Sequence, residues 1–242
     1  MPETRDSADR QQNFSARYSD GTYANHYPDW HLEDAAHKAA LVRGIIARNA
    51  ISFQTLCDVG CGAGGVLHEL SRALPGRQYI GCDPAAEAIR IAKDCHAGSG
   101  IDFQVAHYVG QVTEPIDVIT CLDVFEHIPD QLAFLEALRP MATFKIFHIP
   151  LELSVNWLLR SRLIAERRVI PGHLHYYTKP IALQVLKETG YTVLDCKLSR
   201  IRRRSASVRS FAGNVLRSTI ARFSEEKAAL LIGGYSLVVL AQ

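Results

Sequence analysis

The chain has 242 residues, of which 48% are hydrophobic, and a formal net charge of +2. This length and composition can bury a proper core and suit one α/β domain better than two small ones. No apolar run approaches the roughly 18 residues of a membrane span, and the polar N-terminus lacks a signal-peptide core. We therefore expect a cytoplasmic protein that neither spans a membrane nor is exported. The six cysteines form no CxxC pair, which favours reduced thiols over structural zinc.

The N-terminal region divides into a tail, an aromatic segment and a helix. Residues 1–17 are polar, and we expect them to be disordered. A helix is predicted over Leu32–Ala50, whose acidic start suits the positive end of a helix dipole. The aromatic segment before it could cover a bound cofactor as a lid or pack against the sheet edge, and both interpretations stay open.

From Thr55 onward, short β-like runs alternate with helical ones. Strands are predicted at TLCDV, RQYIGCD, IDFQVA, IDVITCL and FKIFHIP. Helices are predicted from about Val66 to Leu74, through AAEAIRIAKDC and through QLAFLEALR. This alternation predicts parallel strands joined by right-handed crossovers, which is a doubly wound α/β sheet.

Beyond Pro150 this alternation stops. The chain continues as SVNWLLRSRLIAERR with a helical pattern, the loop PGHLHYYT, the helix KPIALQVLKETG, the strand YTVLDCKL, the run SRIRRRSASVR, a further helix and the strand YSLVVLA. We expect residues 151–178 and 199–233 to be helical insertions on one scaffold, because neither could bury a core alone.

The stretch LCDVGCGAGG places glycines directly after the first strand, where they let a ligand approach the main chain. A dinucleotide loop reads GxGxxG and receives a pyrophosphate, but here Asp58 stands just before Gly60. A carboxylate there repels a pyrophosphate and attracts an ammonium such as that of S-adenosylmethionine. The second strand ends in Asp83, whose carboxylate can accept hydrogen bonds from both ribose hydroxyls. An ordinary turn, with Asp83 as a solvated acid before Pro84, and an NAD-dependent oxidoreductase are the alternatives.

With these motifs the chain resembles the class I S-adenosylmethionine-dependent methyltransferases, in particular the small-molecule branch that includes ubiquinone-biosynthesis O-methyltransferases. The motifs that carry the resemblance are DVGCGAGG, IGCD, CLDVFEHIPD and GHLHYYTKPIALQVLKETGYTV. The resemblance implies a seven-stranded, mostly parallel Rossmann-like sheet with an antiparallel terminal strand. It also implies one methyltransferase domain over residues 18–242, with residues 18–50 as a helical lid and the two insertions on the acceptor side.

The resemblance further implies S-adenosylmethionine as cofactor, with the two loop glycines beneath it, an acid on its ribose and the end of the fourth strand beside its methionine part. The predicted cofactor-binding residues are Asp58, Gly60, Cys61, Gly62, Asp83, Pro84, Cys121, Leu122 and Asp123. The third strand lacks the acid that many relatives place against the adenine amino group, so Ala106, His107 or a backbone group is expected there.

A hydroxyl acceptor requires a base, and histidines near the cofactor are the candidates. His127 follows the fourth strand and is the first choice, with Glu126 as its orienting partner or as an acceptor ligand. His173 and His175 alternate in the loop PGHLHYYT, so they could face the same way and replace His127 as base. The alternatives are that Glu126 and His127 cap or anchor the next helix and that one loop histidine is structural. No tight ligand spacing such as HExxH occurs, so no metal is predicted.

The charge is unevenly distributed. Residues 1–150 hold 12 Lys/Arg and 19 Asp/Glu, while residues 151–242 hold 15 and 6, so the two parts carry −7 and +9. Because arginine forks match phosphate and carboxylate, we expect a small anionic acceptor. Nucleic acid is not expected, because the arginine run lacks interleaved aromatic residues. A solvated helix or a subunit contact in a homodimer is the alternative, as is a binding protein of this fold without catalysis.

Overall fold

The computed structural model describes residues 32–106, 115–200 and 218–242. In these ranges the strands are β1 Thr55–Val59, β2 Gln78–Asp83, β3 Asp102–Val105, β4 Ile116–Leu122, β5 Ala142–Leu151, β6 Val193–Arg200 and β7 Tyr235–Ala241. The helices are α1 Leu32–Arg48, α2 Gly65–Ala73, α3 Ala86–Cys95, α4 Gln131–Leu138, α5 Val155–Leu158, α6 Ser161–Val169, α7 Lys179–Glu188 and α8 Glu225–Ile232. Short 3-10 turns occupy Phe125–His127 and Arg139–Met141.

The strands form one sheet in the order β3-β2-β1-β4-β5-β7-β6. The first five are parallel, whereas β7 runs antiparallel to both β5 and β6. This confirms the doubly wound, seven-stranded sheet with an antiparallel terminal strand. The strand order reverses between β1 and β4, and ligands of open α/β sheets bind beyond the carboxyl ends of the strands at this point.

The central strands are largely buried because helices cover both faces of the sheet. Every residue of β1 and β7 is buried, which explains why both strands are nearly continuous apolar runs rather than alternating ones. Polar side chains are therefore concentrated at the strand ends, where the loops begin.

Helix α1 packs in the core through Ala39, Val42 and Ile45. A Cβ atom at Gly65 would lie 2.6 Å from Leu32 Cδ2 and 2.9 Å from Ala35 Cβ, so α1 runs closely over the start of α2. Helix α1, which is the helical part of the predicted lid, is thus packed against the core and the start of α2. Residues 1–31, with the predicted disordered tail and the aromatic segment, lie outside the described residues.

The first predicted insertion contains two helices, α5 and α6, instead of one continuous helical stretch. In the second predicted insertion, residues 201–217 lie outside the described part of the chain, and they include most of the arginine-rich run. Helix α8 lies in the described part of this insertion. Among the helices that the structure describes, none is both long enough and apolar enough to cross a membrane.

Candidate active site

The glycine loop turns sharply at the carboxyl end of β1. Gly60 and Gly62 have φ angles of 75° and 53°, in the region that side chains rarely adopt. The Gly60 and Cys61 amides both donate to the Cys82 carbonyl, at 2.8 and 3.1 Å. A Cβ atom at Gly60 would lie 2.5 Å from Val124 Cγ2. The loop is therefore held between the ends of β2 and β4, with its main chain accessible only because glycines occupy it.

Asp83, at the end of β2, is buried and binds this loop. Its Oδ2 accepts a hydrogen bond from the Gly62 amide at 2.9 Å, and its Oδ1 accepts one from the Ala85 amide at 2.8 Å. A carboxylate oxygen has two lone pairs, so each oxygen can also accept a hydroxyl proton from a ligand. Asp83 thus fixes the loop to the end of β2, at the position where the sequence predicts the ribose contact; Pro84, after it, is half-buried.

Asp58 lies buried in β1 beneath the loop. Its Oδ1 accepts a hydrogen bond from Thr120 Oγ1 at 2.6 Å. Burial raises the pKa of Asp58 to about 7, against the opposing effects of the Thr120 hydroxyl and Lys38. A cationic ligand above the loop would favour its ionised form.

Asp123, after β4, has the left-handed φ of 58° and two side-chain partners, one on each carboxylate oxygen. Its Oδ2 lies 2.8 Å from Lys38 Nζ, and its Oδ1 lies 2.6 Å from His148 Nδ1. Burial opposes ionisation of Asp123, but His148 and Lys38 outweigh it and hold the pKa of this carboxyl well below its usual range. Sequence reasoning missed Lys38, which reaches this carboxylate from α1.

Three further predicted residues lie at the same edge of the sheet. Cys121 and Leu122 are the last two residues of β4 and are buried. Cys61 is buried in the glycine loop, with its thiol 3.6 Å from the Gly62 carbonyl. The Ala106 amide donates to the Asp83 carbonyl at 3.1 Å. His107, the other residue considered for the adenine, lies outside the described residues.

Glu126 and His127 lie in the buried 3-10 turn after β4. The helix that follows, α4, is capped by Asp130, whose side chain accepts from the Ala133 amide at 3.1 Å. Neither Glu126 nor His127 therefore provides the side-chain cap that was their alternative role. His127 Nδ1 instead lies 3.3 Å from the Gly172 carbonyl oxygen.

The loop PGHLHYYT is bound to this turn by its main chain. The Leu174 and His175 amides donate to the Glu126 carbonyl at 2.8 and 3.1 Å. This brings the His173 ring to 4.6 Å from the His127 ring, edge to face. His173 Nδ1 lies 2.5 Å from Glu152 Oε2.

His175 does not join these side chains, because its Nε2 bonds to the Ile128 carbonyl at 2.9 Å. The structure therefore brings Glu126, His127 and His173 together. Glu152, which backs His173, was missed from the sequence: it lies 21 positions before its partner and belongs to no recognised motif.

The cofactor-side residues form a coherent binding surface. Asp58 places a carboxyl group below the loop, the glycines turn the main chain sharply, and Asp83 holds the loop from the end of β2. These features fit a cationic nucleoside ligand and do not suit a pyrophosphate, which the buried carboxylates would repel. The residues present therefore fit S-adenosylmethionine.

Comparisons with known proteins agree with this surface. Residues 57–143 match a family model described as a methyltransferase domain. Together, the strand order, the loop and this match agree with the prediction of a class I S-adenosylmethionine-dependent methyltransferase. Within that class, the chain is similar to curated ubiquinone biosynthesis O-methyltransferases.

The relative from Colwellia psychrerythraea is 32% identical over 153 residues, which cover 59% of this chain and 61% of that protein. The relative from Idiomarina loihiensis is 39% identical over 153 residues, covering 57% of this chain and 60% of that protein. The chain thus spans about three fifths of the curated relatives it matches.

Solved structures share the fold at low sequence identity. Magnesium protoporphyrin IX methyltransferase from Synechocystis PCC 6803 with bound SAH has a TM-score of 0.57 at 16% identity, covering 85% of this chain and 82% of that chain. A putative sarcosine dimethylglycine methyltransferase from Galdieria sulphuraria has a TM-score of 0.59 at 15% identity, covering 85% and 84%. These likenesses establish the fold.

Proposed function

We propose that this protein transfers a methyl group from S-adenosylmethionine to a hydroxyl oxygen of a small acceptor. The observation that carries the proposal is the pairing of the Asp83-bound glycine loop with a buried Glu126, His127 and His173 cluster beyond the neighbouring strand β4. The names of the curated relatives and the SAH- or SAM-bound structural neighbours support it.

The cofactor half of the site has a defined division of roles. Gly60 and Gly62 let the ligand approach the main chain, Asp83 receives the ribose hydroxyls, and Asp58 lies below the positive charge. Asp123, fixed by Lys38 and His148, borders the methionine part. When bound, S-adenosylmethionine supplies a methyl group on a positively charged sulfur.

The acceptor half removes a proton in a site closed to water. A neutral hydroxyl is a poor nucleophile, and a positioned base contributes roughly 10²–10⁴-fold to the rate. His127 is the proposed proton acceptor, with its ring fixed by the Gly172 carbonyl. His173, held by Glu152, is the second histidine of the cluster. Burial of all these side chains keeps them in fixed positions before the acceptor arrives.

The acceptor is proposed to be anionic, and the protein to act in the cytoplasm without nucleic acid, as a monomer or a homodimer. Helix α6 supports the charge assignment, because it exposes Arg162 and Arg168 just before the loop that carries His173. Arg168 Nη1 donates to the Leu174 carbonyl at 3.2 Å, which ties this basic helix to the loop. Arginine forks on such a surface can bind a carboxylate or phosphate.

Ligand-induced stabilisation tests the cofactor assignment. S-adenosylhomocysteine should raise the melting temperature of the protein and NAD should not, because only a ligand of the native state stabilises it. Asp83→Ala should weaken S-adenosylhomocysteine binding by roughly 1–3 kcal/mol in calorimetry, since charge-assisted hydrogen bonds are lost.

Asp102→Ala is the matched control, because Asp102 is exposed and its carboxylate accepts a hydrogen bond from the Gln104 side chain, away from the glycine loop. Stabilisation by NAD in place of S-adenosylhomocysteine would show that the proposed function is wrong. Equal affinity of the wild type and Asp83→Ala would remove Asp83 from the site.

A further inference from the structure

Glu126 is a buried carboxyl group that nothing in the described protein satisfies. It is fully buried, and neither carboxyl oxygen has a hydrogen-bond partner among the residues that the structure describes. Leaving a buried polar group unsatisfied costs about 1–3 kcal/mol, and more for a charged one. Such a side chain indicates a ligand that completes it.

Two histidine nitrogens lie beside this carboxyl group. One ligand atom from each of Glu126, His127 and His173 falls within 4.8 Å of the other two, and all three residues are buried. Two ligand atoms on one metal ion lie about 3–3.5 Å apart when each bond is about 2.0–2.2 Å. Side-chain rotations that move each ligand atom by about 1 Å therefore suffice to bring all three atoms within bonding distance of one ion.

Both rings are already oriented as metal ligands usually are. A metal-bound histidine almost always donates its other ring N–H to a carboxylate or a backbone carbonyl, which fixes the tautomer and directs the ring. His127 Nδ1 lies against the Gly172 carbonyl, and His173 Nδ1 lies against the Glu152 carboxylate. Arg167 Nε, 3.7 Å from Glu152 Oε1, holds that carboxylate from the other side.

The three ligands are fixed relative to one another by main-chain hydrogen bonds. Glu126 and His127 are neighbours in one 3-10 turn, and the Glu126 carbonyl accepts from the amides of Leu174 and His175. The loop that carries His173 is therefore bound to the turn that carries the other two ligands. The arrangement does not depend on a flexible surface side chain.

We propose that Glu126, His127 and His173 bind one divalent transition-metal ion. Two imidazoles and one carboxylate suit Zn²⁺, Mn²⁺ or Fe²⁺, whereas Mg²⁺ and Ca²⁺ prefer oxygen ligands. Three protein ligands leave at least one coordination position open, and it takes a water or an acceptor oxygen.

The catalytic consequence of the ion rests on the proposed function. A hydroxyl group bound to a dication would ionise near neutral pH, releasing its proton to solvent as the acceptor binds, so the ion would supply a nucleophilic oxygen without a protein base. In the metal-loaded protein His127 is a ligand, and in the metal-free protein the same ring is left for the base role.

Metal binding can be measured without cofactor or acceptor. Protein without an affinity tag, stripped with a chelator, should bind one equivalent of Zn²⁺ in calorimetry and no Mg²⁺. Co²⁺ should give a visible absorption band without thiolate charge transfer, which separates this site from the free cysteines.

Glu126→Gln should weaken Zn²⁺ binding at least roughly 100-fold, because a direct ligand is lost, and Glu152→Gln about 10–100-fold, because an outer partner is lost. The glutamine variants are near-isosteric and neutral, so they should keep the fold, as circular dichroism can verify. His175→Gln, from the same loop but outside the cluster, should bind Zn²⁺ like the wild type.

Absence of stoichiometric Zn²⁺ binding in the wild type would overturn the proposal, as would unchanged affinity in Glu126→Gln. S-adenosylhomocysteine binding, measured on the same samples, separates the two hypotheses. A protein that binds S-adenosylhomocysteine but no metal keeps the proposed function and loses the metal site. A protein that binds metal but no S-adenosylhomocysteine keeps the metal site and loses the proposed function.

Discussion

His127 connects the sequence prediction to the site most directly, because it is the proposed proton acceptor and its ring lies in the buried cluster with Glu126 and His173. His127→Ala should lower turnover roughly 10²–10⁴-fold while S-adenosylhomocysteine affinity barely changes, since the lost interaction acts mainly in the transition state. This expectation holds whether the ring accepts the proton or holds a metal ion. Turnover and calorimetric affinity, measured on one preparation, test it.

His175→Ala, from the same loop, provides the contrast. Its ring bonds to the Ile128 carbonyl outside the cluster, so its removal should cost about 1 kcal/mol of stability. Turnover of the folded fraction should stay near that of the wild type. Loss of turnover in His175→Ala with full turnover in His127→Ala would assign the base role to His175 and a structural role to His127.

Single residues were predictable where the chain itself brings them together. Asp58, Gly60 and Gly62 lie within five positions, so a strand followed by a tight turn fixes their arrangement from local sequence alone. Lys38 and Glu152 were not predictable. They reach the site only because α1 packs beside the sheet and because the chain returns to the turn after β4.

Whole elements were predicted well where burial is complete. Strands β4 and β7 have the predicted bounds, because a fully buried strand is an apolar run with polar residues or glycine at its ends. The stretch SVNWLLRSRLIAERR divides into two helices, and α6 has no buried residue. Without an apolar stripe to pack, periodicity gives no evidence of where such a helix begins or ends.

The glycine loop can be tested as an element with a matched pair of glycines. Gly60 and Gly98 have φ angles of 75° and 76°, so alanine is similarly strained at both positions. Only at Gly60 would the new Cβ clash, 2.5 Å from Val124 Cγ2, whereas nothing lies within 4 Å at Gly98.

Gly60→Ala should therefore weaken S-adenosylhomocysteine binding at least roughly tenfold, which is about 1.4 kcal/mol. Gly98→Ala should affect only the melting temperature. Calorimetry and thermal unfolding of both variants measure the difference. Equal S-adenosylhomocysteine affinities in the two variants would show that the contact with Val124 does not shape the cofactor surface.

At the scale of the whole molecule, one buried acid couples stability to pH. Burial raises the pKa of Asp58 in the folded state to about 7, above its ordinary value of 3.8. The folded state therefore holds this proton more tightly than the unfolded state does. As pH rises from about 4 to about 7, this group reduces the free energy of unfolding, and above pH 7 its contribution is constant.

Asp58→Asn should remove this pH-dependent loss of unfolding free energy, while its side-chain oxygen can still accept the hydrogen bond from the Thr120 hydroxyl. The variant should exceed the wild type in unfolding free energy by as much as about 4 kcal/mol near pH 8, with the gain shrinking towards pH 4. Urea unfolding of both proteins across this range measures it. A pH-independent difference would mean that Asp58 does not titrate in the fold, and weaker S-adenosylhomocysteine binding by the variant would show that its charge serves the cofactor.

The hydrogen bonds from Leu174 and His175 to the Glu126 carbonyl also make the molecule modular. The cofactor residues come from the ends of β1, β2 and β4, whereas the chain leaves the sheet at Leu151 and returns at Gly172. Helices α5 and α6 lie between those two points and contact the rest of the protein through hydrogen bonds, among them those from Asn156 to the Ile232 carbonyl and from Tyr176 to the Ile164 carbonyl. A protein engineer who keeps these two contacts could vary the exposed positions of α6 to retarget the acceptor without altering the ends of β1, β2 and β4.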